Sequence, residues 1–402
     1  MKIALIHPEM GFGGSERLML DAAIELRRRG HDAPLFTARC DRDATFRDVS
    51  SRDADVRVRA TSLPYDLGGR ARVPCAMARM TALAAAARRE LGRVDLVLCD
   101  LVAQAVPFVR RVAQAPVAFY CHYPDQLLAP DGGAAYGWYR RGIDVLERRG
   151  LAQSAIVLTN SAYTSSALRR TAPALASDAV RVVAPGIDVE RWAAVAPLAP
   201  GWSCERELVI LSLGRFHRDK NHTLAIEAMA ALQRRLPSAV AQRLRLVIAG
   251  GHDASLPESR ALVAALRADI EARALGHCVT LDLSPSDETV LRHVGRASVV
   301  MHTAVAEHFG IAPIEAMAAG RPVVAVNHAG PSETIIDGRT GLLRAPTAEA
   351  FADALAALIS DESMALAIGE CARAHARERY ARTAFGDRMN EALRVAVSRR
   401  RD

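Results

Sequence analysis

Twice along this chain, short apolar runs alternate with stretches long enough for a helix, and that rhythm leaves little choice of fold. In the first half the runs are Ile3 to His7, Ala33 to Thr37, Asp95 to Cys99, Val117 to Cys121 and Ala155 to Thr159, with helix-like sequence such as Arg17 to Arg29 between them. Strands that are apolar on both faces and separated by helices build a parallel sheet covered on both sides. An Ala/Pro-rich stretch, Ala193 to Gly201, then interrupts the pattern as a linker does. The alternation restarts with Leu208 to Leu213, Arg245 to Ala249, Val279 to Leu281, Ser298 to Met301 and Pro322 to Val326. The expected architecture is α/β, with two doubly wound domains at 1–195 and 201–382. The last amphipathic stretch, within 383–402, either finishes the second domain or crosses back onto the first. A chain of 402 residues also exceeds what one hydrophobic core organises. Ligands of such sheets bind beyond the C-terminal ends of the strands, so two facing sheets are expected to enclose a cleft, with the informative residues just after strands.

Composition narrows the class. The longest uncharged apolar stretches stop far short of the ~20 residues that span a bilayer. The chain opens on a strand-like run without the basic and apolar regions of a signal peptide, which makes the cytoplasm the expected compartment. Seven scattered cysteines with no CxxC pair argue for free thiols rather than a disulfide framework or a zinc site. Residues 1–195 carry an excess of six basic side chains and the remainder an excess of one. That basic first half fits a phosphate-bearing acceptor or peripheral contact with an anionic membrane as readily as a solvated surface; no nucleic-acid motif accompanies it. The chain uses 50 arginines but only two lysines, Lys2 and Lys220. Where arginine has replaced lysine almost everywhere, a surviving lysine asks for a specific reason, because the two cations differ in shape and hydration.

Four places carry chemistry. Gly11-Phe12-Gly13-Gly14-Ser15-Glu16 follows the first strand and leads into a helix, so its glycines permit close backbone approach and the helix N-terminus offers free N–H groups to a phosphate. Glu16 stands where a dinucleotide fingerprint needs its third glycine. In the second domain, Leu213-Gly214-Arg215 ends a strand and Lys220-Asn221 opens the next helix. Two cations five residues apart around one turn can grip a diphosphate from two sides. The run Glu307-His308-Phe309-Gly310-Ile311-Ala312-Pro313-Ile314-Glu315 places a glutamate after a strand and a proline in the first helical turn. There the amides of Phe309, Gly310 and Ile311 can face a ligand, and Glu315, in that first turn, can accept from the vicinal hydroxyls of a ribose. His122 follows the strand Val117 to Cys121, where an imidazole either positions reacting groups or simply packs.

These segments resemble glycosyltransferase family 4 of the GT-B fold. The resemblance runs through GGSER, GRFHRDKN, EHFGIAPIEAMAAGRPVVAV and Ala329-Gly330-Pro331-Ser332-Glu333, and covers nearly the whole chain. Within the family, FYCHYPDQLL, IHPEMGFGGSERL and EHFGI are similar to the α-1,3/1,6-mannosyltransferases of lipid-linked oligosaccharide synthesis. The resemblance implies two Rossmann-like domains facing across a cleft and a retaining, metal-independent transfer of a hexose from a nucleotide sugar, with no cofactor. Mannose from GDP-mannose leads over UDP- or ADP-linked sugars and over a sugar-nucleotide epimerase of the same fold. The implied acceptor is a glycan, a lipid-linked sugar or a small molecule. By position, Gly13 and Gly14 face the donor diphosphate, Arg215 and Lys220 bind it, Phe309, Gly310 and Ile311 give amides, and Glu315 holds the ribose. Glu307 faces the donor sugar and His122 lies on the acceptor side. The family often has Pro-Ser ahead of the first glutamate, where this chain reads His302-Thr303-Ala304. Metal-dependent transferases instead use Asp-x-Asp; Asp41-Arg42-Asp43 and Asp53-Ala54-Asp55 fit that pattern only formally.

Overall fold

Most of the apolar runs become strands whose residues are buried on both faces, the runs at 244–250 and 279–283 being only partly so, and helices cover the sheets on either side. In the computed structural model, which describes residues 1–398 other than 12, 41–45, 60, 61, 67–70, 130–132, 205 and 206, the chain divides into two units. One holds Met1–Gly186 together with the segment from Arg382, and the other holds Ile187–Ala381. The division therefore falls upstream of the 193–201 stretch. That stretch lies within the second unit, where Arg373 donates to the carbonyl of Ala193 and Arg321 to that of Ala196.

The strands of the first unit are β1 (Ile3–His7), β2 (Leu35–Thr37), β3 (Val56–Val58), β4 (Leu96–Asp100), β5 (Val117–Cys121), β6 (Ile156–Thr159) and β7 (Val180–Val182). They pair in parallel in the order β3-β2-β1-β4-β5-β6-β7. The second unit has β8 (Leu208–Leu213), β9 (Leu244–Gly250), β10 (Val279–Leu283), β11 (Ala297–His302), β12 (Val323–Val326) and β13 (Leu342–Arg344), in the order β10-β9-β8-β11-β12-β13. Both orders are Rossmann-like. Each reverses direction beside its first strand, at β1/β4 and at β8/β11, and at those switch points the loops diverge and leave a crevice for ligands.

The helix Arg382–Ser398 belongs to the first unit for a packing reason. Phe385, Met389, Ala392, Leu393 and Ala396 are buried in the cluster that holds Met19, Ile24 and Leu26 of the helix Gly14–Arg28. The Arg29 guanidinium ties the two helices together by donating to Asp387 at 2.7 Å and to the Thr383 carbonyl at 2.6 Å. All seven cysteines are free, and Cys75, Cys99, Cys121 and Cys278 are buried. Among the described residues no helix is long and apolar enough to cross a membrane. Asp53 is paired with Arg28 at 2.9 Å and Asp55 with Arg57 at 2.7 Å; the other formal Asp-x-Asp, 41–43, lies outside the described residues.

Candidate active site

In the second unit the polar side chains gather at the β8/β11 switch point. After β8, Arg215 is exposed and Phe216 turns into the core, and a single helical turn Arg218–Lys220 leads to Asn221. Asn221 is left-handed, with φ 49°, and caps the helix His222–Arg235. This sharp turn brings Lys220 back over the strand end, where the Thr303 hydroxyl donates to its carbonyl at 2.8 Å. β11 ends at His302, and Glu307 follows in the next loop. The Lys220 ammonium donates to the Glu307 carboxylate, and both side chains are about four-fifths buried, at 20% exposure.

The Glu307 loop then turns at Gly310, whose φ of 90° favours a residue without Cβ, and starts the helix Ile311–Ala318. Gly330 donates its N–H to the Glu307 carbonyl at 2.8 Å, and a Cβ on Gly330 would lie 2.4 Å from the Phe309 Cα. The loop is thus pressed against backbone that only glycine can supply. The Phe309 ring is buried against Tyr380, with centroids 5.9 Å apart, so this residue can serve a ligand only through its amide. The amides of Gly310 and Ile311 belong to the free N-terminal end of the helix, which favours an anion. Glu315 is half-buried. The helix begins at Ile311, so Glu315 opens its second turn rather than lying in the first.

Two histidines that the sequence pattern did not single out complete this cluster. His302 lies fully buried with Nε2 3.6 Å from the Glu307 carboxylate, and burial pushes its pKa down to about 4, so it is neutral at physiological pH. His222 is buried beside the Arg215 carbonyl, 3.2 Å from Nε2, and burial lowers its pKa as well. Burial alone would raise the Glu307 carboxyl. The adjacent Lys220 ammonium outweighs that and holds it below its ordinary value.

In the first unit, Gly13 caps and Gly14 begins the helix Gly14–Arg28 after β1, and the Glu16 carboxylate lies against Gly13, 2.1 Å from where a Cβ on it would stand. Histidine and carboxylate groups meet at the ends of three neighbouring strands. Asp100, the last residue of β4, is fully buried; one of its oxygens bonds His7 Nδ1 at 2.8 Å and the other bonds His122 Nε2 at 2.9 Å. His7 ends β1, and His122 follows β5. The Asn160 amide, just beyond β6, donates to the His122 carbonyl at 3.0 Å. His7 and Asp100 were not among the sequence candidates, although a polar residue closing an apolar strand is a signal that could have found them.

Comparison with known proteins places the chain among glycosyltransferases. Residues 203–375 match the family described as "Glycosyl transferases group 1", and residues 12–191 match "Glycosyltransferase Family 4". The chain is 34% identical over 399 residues to the human alpha-1,3/1,6-mannosyltransferase ALG2, covering 96% of this chain and 94% of that one. It is 31% identical to the Schizosaccharomyces pombe protein of the same name, covering 86% of this chain and 71% of that one. Solved structures of similar fold include a sucrose-phosphate synthase from Thermosynechococcus elongatus, with a TM-score of 0.76 and 20% identity over 98% of each chain. Another is the Anabaena protein Alr3699/HepE in complex with UDP, with a TM-score of 0.74 and 19% identity over 98% of this chain and all of that one.

Proposed function

This chain belongs to glycosyltransferase family 4, and from that premise we propose that it transfers mannose from GDP-mannose, with retention and without a metal, to a sugar hydroxyl of a glycan or lipid-linked acceptor. The relatives named as alpha-1,3/1,6-mannosyltransferases support the sugar and the acceptor class. The observation that carries the reading is the Lys220–Glu307 pair beside the open N-terminus of the helix Ile311–Ala318. A cation, a carboxylate and free amides at a switch point are what a nucleoside diphosphate sugar requires of a protein. Arg215 and Lys220 take the diphosphate, the amides of Phe309, Gly310 and Ile311 add to its neutralisation, and Glu315 holds the ribose. Glu307 faces the donor sugar, Gly13 and Gly14 offer backbone to the diphosphate, and His122 serves the acceptor.

In the reaction the bond from the anomeric carbon to the diphosphate oxygen breaks as the acceptor oxygen bonds to the same face. The acceptor proton passes to the departing diphosphate. The protein's work is orientation and stabilisation of the leaving charge, which two cations and a helix N-terminus supply without a metal ion. Thermal shift against GDP, UDP, ADP and their sugars tests the donor, because a ligand that binds only the folded state raises the melting temperature by mass action. GDP and GDP-mannose are expected to give the largest shift; a larger shift with UDP or ADP would overturn the assignment.

A peripheral membrane location belongs to the same reading. On the helix Ala134–Ala152 and the adjoining Asp125–Leu128, Trp138 is 79% and Leu128 59% exposed, and Arg141 and Arg149 are exposed on the same helix. An exposed aromatic and aliphatic surface flanked by arginines suits an anionic bilayer face, where a lipid-linked acceptor would be presented. Flotation with phosphatidylglycerol vesicles should show salt-sensitive binding that Trp138→Ser weakens, and no binding at low salt would favour a soluble acceptor.

A further inference from the structure

The first unit places one carboxylate between two imidazoles at the β1/β4 switch point, and neither Asp100 nor His7 has a role in the chemistry described so far. Both are fully buried. Each Asp100 oxygen is engaged by a different ring, His7 through Nδ1 at 2.8 Å and His122 through Nε2 at 2.9 Å. A carboxylate held at both oxygens from two neighbouring strands cannot rotate. His122 is fixed from a second side as well, because Asn160 donates to its carbonyl at 3.0 Å, and the Tyr120 ring lies 5.0 Å from the imidazole, centroid to centroid.

We propose that Asp100 and His7 are positioning residues for transfer, and that they act through His122. An ionised carboxylate only accepts hydrogen bonds, so a neutral His122 must carry its proton on Nε2, facing Asp100. Its Nδ1 then keeps the lone pair, and that is the atom offered to a hydroxyl of the acceptor or the sugar. Without the carboxylate the imidazole is free to take the other tautomer and to turn. His7 fixes the carboxylate in its turn: its Nδ1–H occupies the second Asp100 oxygen, so the first stays aligned on His122. The same logic of an outer group setting the tautomer of a working imidazole operates in metal sites and in hydrolytic triads. Burial would lower the His7 pKa, but Asp100 outweighs it and raises the value above the ordinary one. Asp100 is held low by both histidines against its own burial. Both directions agree with a carboxylate that stays ionised.

The proposal rests on His122 serving the transfer, and the test separates the two. The full-length protein is assayed for transfer from GDP-mannose to octyl mannoside, with GDP affinity and melting temperature measured for each variant. An asparagine amide nitrogen stands where His Nδ1 stands, and a glutamine amide nitrogen where Nε2 stands. His122→Gln therefore keeps the bond to Asp100 but loses the Nδ1 lone pair, and it should lower turnover strongly. Asp100→Asn puts an amide where an acceptor is needed and should lower kcat about 10- to 100-fold with GDP affinity unchanged. His7→Asn keeps the donor to Asp100 and should retain most of the activity that His7→Phe loses. Long-range proton–nitrogen correlation spectra, assigned by the loss of the His122 signal in His122→Gln, should show the Nε2–H tautomer in the natural protein and a shift away from it in Asp100→Asn. If His122→Gln is inactive while Asp100→Asn turns over normally, or if natural His122 carries its proton on Nδ1, the positioning role is wrong. If His122→Gln itself is fully active, the assignment of His122 falls and the positioning role falls with it. Should Asp100→Asn fail to fold, the His7 pair and the natural-protein spectrum decide alone.

Discussion

Lys220→Arg is the substitution that most sharply tests the donor site, because this chain uses arginine at every other cationic position but one. In the structure Lys220 has little room to become larger. Its Cγ and Cδ lie over Gly214, 3.2 Å from where a Cβ on that glycine would stand. Its backbone is held by the bond to Thr303 Oγ1 and by donation to the His217 carbonyl at 3.0 Å. The head group alone is free to choose a partner, and it sits on Glu307, with both side chains only 20% exposed. An ammonium is a compact charge that can leave Glu307 for a diphosphate oxygen with a small rotation. A guanidinium is planar and broad, pairs with a carboxylate through two parallel bonds, and would hold Glu307 in place of releasing it. One charge-assisted hydrogen bond to the leaving group contributes about 1.5–3 kcal/mol. Its loss in the transition state corresponds to roughly 10- to 100-fold in turnover at 1.4 kcal/mol per factor of ten. Steady-state transfer kinetics, GDP calorimetry and a melting curve form the assay. The expected result is a folded protein with kcat lowered at least about tenfold. A fully active Lys220→Arg protein would show that shape does not matter at this position.

Three further outcomes follow from the same geometry. Glu315→Ala should weaken GDP binding with a smaller effect on turnover, whereas Glu307→Gln should lower kcat more than donor affinity; equal effects of both on both quantities would contradict the assigned roles. GDP binding should survive EDTA, and a tenfold loss restored by magnesium would refute a metal-independent site. His302 is neutral when folded, with a pKa of about 4 against 6.5 for the free side chain. Stability is therefore fully present above pH 6.5 and falls as the pH drops toward 4. At pH 4.5 the difference is on the order of 2–3 kcal/mol relative to neutral pH. Urea unfolding of the natural protein and His302→Phe at pH 7.5 and 4.5 should show a smaller acid loss in the variant. Glu147, pushed up to about 7 mainly by burial, gives the opposite slope between pH 4.5 and 7, but it is common to both proteins and cancels in the difference.

Period and punctuation carried the architecture into the sequence. The long central strands, such as β1 and β8, are continuous apolar runs and were legible to within a residue or two. β3, β7 and β13 were missed because each is three residues long, only partly buried and either interrupted by an arginine, as in Val-Arg-Val at β3 and β7, or ended by one, as in Leu-Leu-Arg at β13. Lys220 and Glu307 stood out as single residues, one by its rarity and one by the turn that follows it. That they bond each other depends on β8 and β11 being neighbours across 87 residues of sequence, which no local pattern encodes. His302 was visible only as a departure from the usual Pro-Ser, and its burial against Glu307 gives that departure a physical meaning.

The two clusters share one device, and it explains why their members lie at strand ends or in the loops that follow them. Each buries a carboxylate at a switch point: Asp100 between His7 and His122, and Glu307 between Lys220 and His302. A buried carboxylate without partners costs several kcal/mol, so a folded chain must bring cations or N–H donors to it from the neighbouring strands. At a switch point the two central strands end side by side while their helices leave toward opposite faces, so residues at the strand ends and in the loops just after them can reach one another and still meet a ligand. Paired in this way, each carboxylate stays ionised and fixed in direction before any substrate arrives. Asp100 is closed off on both oxygens and serves as a fixed post, whereas Glu307 is held by a flexible lysine that an incoming diphosphate can draw away. The difference between them lies in the partner: two rigid rings in one unit, and a mobile ammonium backed by a neutral imidazole in the other.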